Sequence, residues 1–186
     1  MTNRIFTPFP ILKTERLTLR QLVNADYNEI FALRSDDNVN KYLDRKPSKS
    51  IDDAKNFIQT INENIQRKDS LYWAITFNGT DKLIGTICLF NFSNGNLKAE
   101  IGYELLPNFQ GKGIMQEATS KVIDFGIQHI GLNLIEAYTH SENRSSTKLL
   151  EKLNFKSHRA CDNNFMIFKL TSAVSFFGKK IHNIVV

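Results

Sequence analysis

No apolar run in this sequence approaches the length of a membrane span, and its opening segment, MTNRIFTPFP, holds no apolar stretch of signal-peptide length. A cytoplasmic chain with no membrane partner is therefore expected. Cysteine is scarce: Cys88 and Cys161 are the 2 among 186 residues, too few for a disulfide-stapled scaffold. Together with the 4 histidines they show no metal-ligand spacing, so no metal is expected. Cys88, inside the strand-like run TICLF, reads as a small buried apolar side chain, and Cys161 falls near a turn. A dense basic run with interleaved aromatics is also missing. The 24 Lys and Arg against 19 Asp and Glu leave +5, but they are scattered, with Arg45, Lys46 and Lys49 nearest to a cluster. Direct nucleic-acid binding is not expected; the sequence pI near 9.2 mildly favours small anionic partners. Internal repeats, low-complexity tracts and linkers are absent, which predicts one domain over residues 1–171 and a C-terminal extension over 172–186. That extension carries Phe176, Phe177, Lys179 and Lys180 and is expected to dock on the domain or on a second copy, leaving monomer and homodimer both open.

What remains, 41% hydrophobic and 23% charged, is the composition of a globular domain able to bury a core without staples. Ile11 to Leu22 predicts a first strand, alternating apolar and polar side chains from Arg16 to Arg20. Asn24 and Asp26 offer caps for a helix to about Arg34, and Val39 to Leu43 predicts a short helical piece. Ser50 and Asp53 form a capping box for a helix through Gln66, with Phe57, Ile58, Ile61 and Ile65 at helical spacing. From Leu71 the period shortens to two. Tyr72 to Phe77, Leu83 to Phe92 and Glu100 to Leu106 predict an antiparallel meander turned at Asn78-Gly79-Thr80-Asp81 and Ser93-Asn94-Gly95-Asn96. A helix from Gly113 ends at Gly131, Leu134 to His140 is a strand, and strand, helix, strand implies a parallel pair. A helix from Arg144 to Leu153 and short strands at Phe155 to Arg159 and Phe165 to Leu170 follow. The fold class is therefore mixed α/β.

The stretch Ala99 to Met115, AEIGYELLPNFQGKGIM, places glycines where a strand gives way to a helix. The first turn of such a helix has backbone N–H groups without intrahelical partners and a partial positive charge. Gly111 and Gly113, lacking Cβ, let an anion approach the backbone, and Lys112 adds charge. The stretch is not a P-loop, because Lys112 is followed by Gly113, nor a dinucleotide fingerprint, because Gln116 stands where a third glycine belongs.

Gln110, Gly111, Lys112, Gly113, Ile114 and Met115 resemble the acetyl-CoA loop of the GNAT superfamily of N-acetyltransferases, Gln/Arg-x-x-Gly-x-Gly/Ala, with Met115 in place of the small residue. Thr14-Glu15-Arg16-Leu17-Thr18-Leu19-Arg20 and the helix NRSSTKLLEKLNF resemble the branch of ribosomal-protein N-terminal acetyltransferases; Asn154 replaces the usual glycine and tolerates a left-handed cap. The resemblance implies a GNAT-like fold, a mostly antiparallel mixed sheet of about seven strands whose central parallel pair splays apart, flanked by helices. It also implies acetyl-CoA as cosubstrate, held by the backbone from Gln110 to Met115. Leu105 and Leu106 would pair with the pantetheine arm and polarise the thioester, and Asn143 would cap its helix or contact that arm.

Acetyl transfer needs the acceptor ammonium deprotonated and the thiolate protonated. Glu100, Gly102 and Glu104 share one face of a regular strand, and Glu100 is the expected base, against the plainer reading of a solvated glutamate. Many GNAT enzymes place a tyrosine seven residues after the Asn143 position; here it is Leu150, so the resemblance makes Ser146 the candidate substitute proton donor, against the plainer reading of a first-turn helix serine. Tyr103 and Tyr138 read as core or groove residues, and His140 as a structural histidine or a base relay. The expected acceptor is a primary amine attacking directly in a ternary complex, preferably a peptide or protein α-amine. A polyamine or amino acid is the runner-up, and a non-catalytic CoA-binding sensor the rival.

Overall fold

A computed structural model describes residues 7–93, 97–159 and 164–172. Eight strands form one sheet in the order β1-β2-β3-β4-β5-β6-β8-β7. The expected first strand is two: β1 (Leu12–Lys13) and β2 (Leu17–Gln21), an antiparallel hairpin closed by the Thr14 N–H donating to Leu17 O at 2.9 Å. That break at Thr14-Glu15-Arg16 is the difference between about seven strands and eight. β3 (Leu71–Phe77), β4 (Leu83–Phe90) and β5 (Lys98–Leu105) continue the antiparallel meander. β6 (Leu134–His140) is parallel to β5, and β8 (Phe165–Thr171) inserts antiparallel between β6 and β7 (Lys156–Arg159). Residues 94–96, Cys161 and 173–186 lie outside the described residues, and the expectations for that turn, that cysteine and the extension lie there with them.

Helices cover both faces. On one side lie α1 (Tyr27–Ser35), the short α2 (Asp37–Asn40) and α3 (Ile51–Gln66); on the other α4 (Ile114–Phe125) and α5 (Arg144–Lys152). α3 starts on the expected box: Ser50 Oγ accepts the Asp53 N–H at 3.2 Å, and Asp53 accepts the Ser50 N–H at 3.0 Å. Ala54, Ile58, Ile61 and Ile65 then pack on Leu22, Ile30, Tyr72, Ala74 and Leu83. Asp26 is not a side-chain cap for α1. Its carboxylate receives both Nη groups of Arg20, at 2.8 and 2.7 Å, and the Val23 N–H, a pair that ties β2 to the start of α1. The larger core lies under α4 and α5, where Trp73, Ile87, Leu89, Ile101, Val122, Ile135, Leu150 and Phe168 meet. Gly131 (φ +82°) and Asn154 (φ +64°) take the left-handed conformation expected of them. Among the described residues no helix is long and apolar enough to cross a membrane.

Candidate active site

Past Leu105 the chain turns through Pro107–Phe109, one turn of 3-10 helix with proline at its first position. Phe109 and Gln110 donate their N–H groups to Leu106 O and Pro107 O at 2.9 and 3.1 Å. Gly111 and Gly113 both follow with left-handed φ, +73° and +74°. A Cβ at Gly111 would meet nothing within 4 Å, and one at Gly113 only Arg16 Nη2 at 3.6 Å, so the glycines serve backbone conformation and open approach rather than packing. From Gly111 to Gln116 the backbone N–H groups donate to no protein acceptor among the described residues. They surround the positive end of α4. Such a run of outward amides is a cradle for a phosphate.

The cradle is braced from the first hairpin. Glu117, in the first turn of α4, accepts from Thr14 Oγ1, from the Arg16 N–H at 3.0 Å and from Arg16 Nε at 2.6 Å, while Arg16 Nη1 donates to Lys112 O at 3.2 Å. Burial pushes the Glu117 carboxyl up, but the hydrogen bonds from Thr14 and Arg16 outweigh it and hold the group below the usual carboxylate range. Gln110 Nε2 ties the loop back to β5 by donating to Leu105 O at 2.9 Å.

β5 and β6 pair only from Lys98–Leu134 to Glu100–Glu136 and then diverge. In the β4–β5 ladder Leu106 donates its N–H to Ile84 O at 3.0 Å. Hydrogen-bonded and open pairs alternate along an antiparallel ladder, so Ile101, Tyr103 and Leu105 turn their main-chain groups toward the gap. The gap widens into a cleft of about 430 Å³ lined by the cradle glycines, Met115, Tyr103, Leu105, Asn143 and Ser146, with Val39 and Tyr42 closing it from the α2 side and Glu104 on its wall. Asn143 Oδ1 accepts the Ser146 N–H at 3.1 Å and so caps α5. Ser146 Oγ in turn lies 2.8 Å from the Tyr103 hydroxyl. Burial pushes the Tyr103 phenol up to about 12 even with that hydrogen bond opposing the shift, so it stays protonated across the neutral range.

Residues 16–156 match the family model described as an acetyltransferase (GNAT) domain. The chain belongs to the GNAT acetyltransferases. Among its GNAT relatives it is 38% identical over 148 residues to the uncharacterized N-acetyltransferase YoaA of Bacillus subtilis, covering 80% of this chain and 84% of that protein. To the uncharacterized N-acetyltransferase p20 of Bacillus licheniformis it is 40% identical over 146 residues, covering 78% and 82%. The fold is shared with the solved ribosomal-protein-S5-alanine acetyltransferase of Vibrio fischeri, with TM-score 0.74, 20% identity and coverage of 87% and 96%. The chain is thus an acetyl-CoA-dependent N-acetyltransferase. The free amides and the open space around two left-handed glycines fit a diphosphate.

Several residues stand differently from the sequence expectation. Leu106 spends its N–H on β4, so of the two leucines only Leu105 turns its N–H toward the gap. Lys112 turns its Nζ to Asn108 O at 2.8 Å, and contributes its backbone rather than its charge to the cradle. Ile114 buries its side chain in the core, while half-buried Met115 lines the cleft where a smaller residue was expected. Glu100 accepts from Asn91 Nδ2 at 3.1 Å within the paired part of β5 and is not among the residues lining the cleft, whereas Glu104, two same-face positions further along, is. Tyr138 stands exposed, and His140 stacks on Tyr42 with centroids 5.5 Å apart while its Nδ1 accepts the Glu142 N–H at 3.2 Å. Tyr103, expected as a core or groove residue, lines the cleft, but its bond to Ser146 was not foreseen. Its alternation with Ala99, Ile101 and Leu105 puts it on the α5 side, but the phenol's partner lies 43 residues away and no local pattern announces it. Leu150, at the position of the absent tyrosine, is fully buried.

Proposed function

We propose that this GNAT enzyme acetylates the α-amine of a peptide or protein N-terminus, by direct attack of the amine on the thioester within a ternary complex. Acetyl-CoA supplies the activated acyl group. Gly111 to Gln116 would hold its diphosphate, and the Leu105 N–H would polarise the carbonyl by hydrogen bonding. As the C–N bond forms and the C–S bond breaks, Ser146 Oγ would give its proton to sulfur and recover one from the Tyr103 hydroxyl or water; the ammonium loses its proton to solvent. The observation that carries the reading is the state of the carboxylates. Glu104, on the cleft wall, is held bidentately by Arg45, and Glu100 does not line the cleft, so among the described residues no free carboxylate is set to strip a strongly basic amine. An α-amine with pKa near 7.7 to 8.0 is about a tenth free base at pH 7, against about four parts in ten thousand for a lysine near 10.4. Mass spectrometry of a peptide panel offered with acetyl-CoA tests the proposal. Modification of α-amines in preference to lysines of the same peptides is expected; labelling of lysines or of polyamines alone would overturn it.

A further inference from the structure

Glu104 stands on β5 between the two residues proposed to handle the proton and the thioester carbonyl. Tyr103 and Leu105 belong to the face under α4 and α5; Glu104, alternating with them, lines the same cleft from the side that Val39 and Tyr42 close. Among the described residues it is the one acid on the cleft wall. Arg45 takes both of its oxygens, Nη1 donating to Oε1 and Nη2 to Oε2, the second at 2.8 Å. The fork is itself held in place. Its Nε donates to Asn40 Oδ1 at 2.8 Å, and Asn40 Nδ2 donates to the carbonyls of Arg34 and Asp36, each at 2.9 Å, at the end of α1. Both partners are largely out of water, with side-chain exposures of 17% for Arg45 and 14% for Glu104. Arg34 lies over the Phe57 ring at 3.8 Å and gives Glu104 no hydrogen bond, and burial pushes the nearby Tyr72 phenol and Cys88 thiol up, so both stay neutral. Arg45 is therefore the group that satisfies this carboxylate.

A planar fork matched to both carboxylate oxygens and fixed by Asn40 resists displacement by a single ammonium. An amine that arrives protonated needs a counter-charge and a proton acceptor in the cleft, and the carboxylate that could be either is already engaged. Resting on the α-amine reading above, we propose that Arg45 is a specificity-determining residue: it sequesters Glu104 and so closes the cleft to strongly basic amines, the lysine side chain and polyamines among them. With Arg45 removed, Glu104 receives such an ammonium and takes one proton from it, leaving a free amine and a carboxylic acid. The amine lone pair then attacks the thioester as in the parent, and the acid returns its proton to water.

The test compares the parent with Arg45→Met, Arg45→Lys and the double variant Arg45→Met/Glu104→Gln. The acceptors are a tetrapeptide with a free α-amine and no lysine, an N-terminally blocked tetrapeptide with one lysine, and spermidine. Arg45→Met is expected to raise kcat/KM for the lysine peptide and for spermidine, each relative to the α-amine peptide, about tenfold, the worth of one charge-assisted contact. Adding Glu104→Gln is expected to return both ratios to within about twofold of the parent. Arg45→Lys keeps the charge and loses the fork, so a gain of about threefold is expected, and it carries the test should Arg45→Met fail to fold. The pH profile separates this role from a merely structural loosening. In the parent, lysine is deprotonated by solvent, and log kcat/KM for the lysine peptide rises with a slope of about one between about pH 7 and 9; in Arg45→Met a proton-accepting Glu104 flattens that slope. Calorimetry of spermidine with CoA-saturated protein reads the same site without turnover: binding about tenfold tighter in Arg45→Met, lost again in the double variant. Ratios, slope and spermidine affinity that neither single variant moves, or a gain that survives Glu104→Gln, overturn the proposal. A parent that acetylates no peptide removes only the α-amine reading, and spermidine binding then decides on Arg45. A parent that labels lysine ahead of α-amines overturns both.

Discussion

Ser146 and Tyr103 are one unit joined at 2.8 Å, and they come from elements on opposite sides of the gap. A serine alone is a weak donor to a departing thiolate. A phenol held up to about 12 behind it keeps a proton available over the working range and orients the hydroxyl. Ser146→Ala is therefore expected to lower kcat about 10- to 100-fold, and Tyr103→Phe by less, with acetyl-CoA affinity within about twofold of the parent in both, read by steady-state kinetics and calorimetry. Because Tyr103 loses its proton only near 12, its ionisation predicts no fall in rate up to about pH 10. At this scale the sequence reading went furthest for cap residues: Asn143 caps α5 and Asn154 takes the left-handed conformation, as their types predict. It went least far for side chains whose partner comes from another element, as with Glu104 and Arg45.

Among the elements, the hairpin β1–β2 and the start of α4 hold each other. Thr14 and Arg16 converge on Glu117, and Arg16 reaches on to Lys112 O in the cradle, so the geometry of the amides depends on a contact 101 residues apart in sequence. The folded-state pKa of Glu117 is lowered, so the unfolded chain takes up the proton more readily. The stabilisation is complete above the ordinary carboxylate range and fades as pH falls through the lowered value. Glu117→Gln is expected to lower the melting temperature at pH 7, with the gap from the parent closing as pH drops below about 4. The same variant should weaken acetyl-CoA binding while leaving the ratio among acceptors unchanged. Melting curves across pH, with calorimetry at pH 7, check both statements; a gap that stays constant down to pH 3 would show that the clamp contributes nothing through its charge.

For the whole molecule, the proposed acetyl-CoA site would bridge the two halves of a sheet that pair over only three residues of β5 and β6. A ligand that binds only the folded chain must stabilise it, by about 2.7 kcal/mol at one hundred times its dissociation constant. For a domain of this length that corresponds to a rise of about 5 to 10 °C in melting temperature, seen by thermal shift with acetyl-CoA. Gly113→Asp should abolish the rise, because it puts a side chain at φ +74° and a negative charge beside the amides that await an anion. A full shift retained by that variant would place the diphosphate elsewhere.

From the sequence alone came what depends on neighbours along the chain. Strands and helices followed from period, the α3 box and the Gly131 and Asn154 caps from residue type, and the cradle from glycines between a strand and a helix. Each is settled within a turn or two of backbone, where local sterics and hydrogen bonding dominate. The first strand splits at a tight turn that Thr14 closes on Leu17, its N–H donating to Leu17 O and its Oγ1 accepting the Leu17 N–H, each at 2.9 Å, and Glu117 braces that turn from α4; the apolar–polar alternation runs on through it and hides the break. Only the tertiary structure decided that Glu104 rather than Glu100 lines the cleft, that Tyr103 meets Ser146, and that Arg45 takes the Glu104 carboxylate. Those outcomes turn on where β5 and β6 cease to pair and on which side chains the opposing helices bring across, quantities set by packing of the whole sheet rather than by spacing along it.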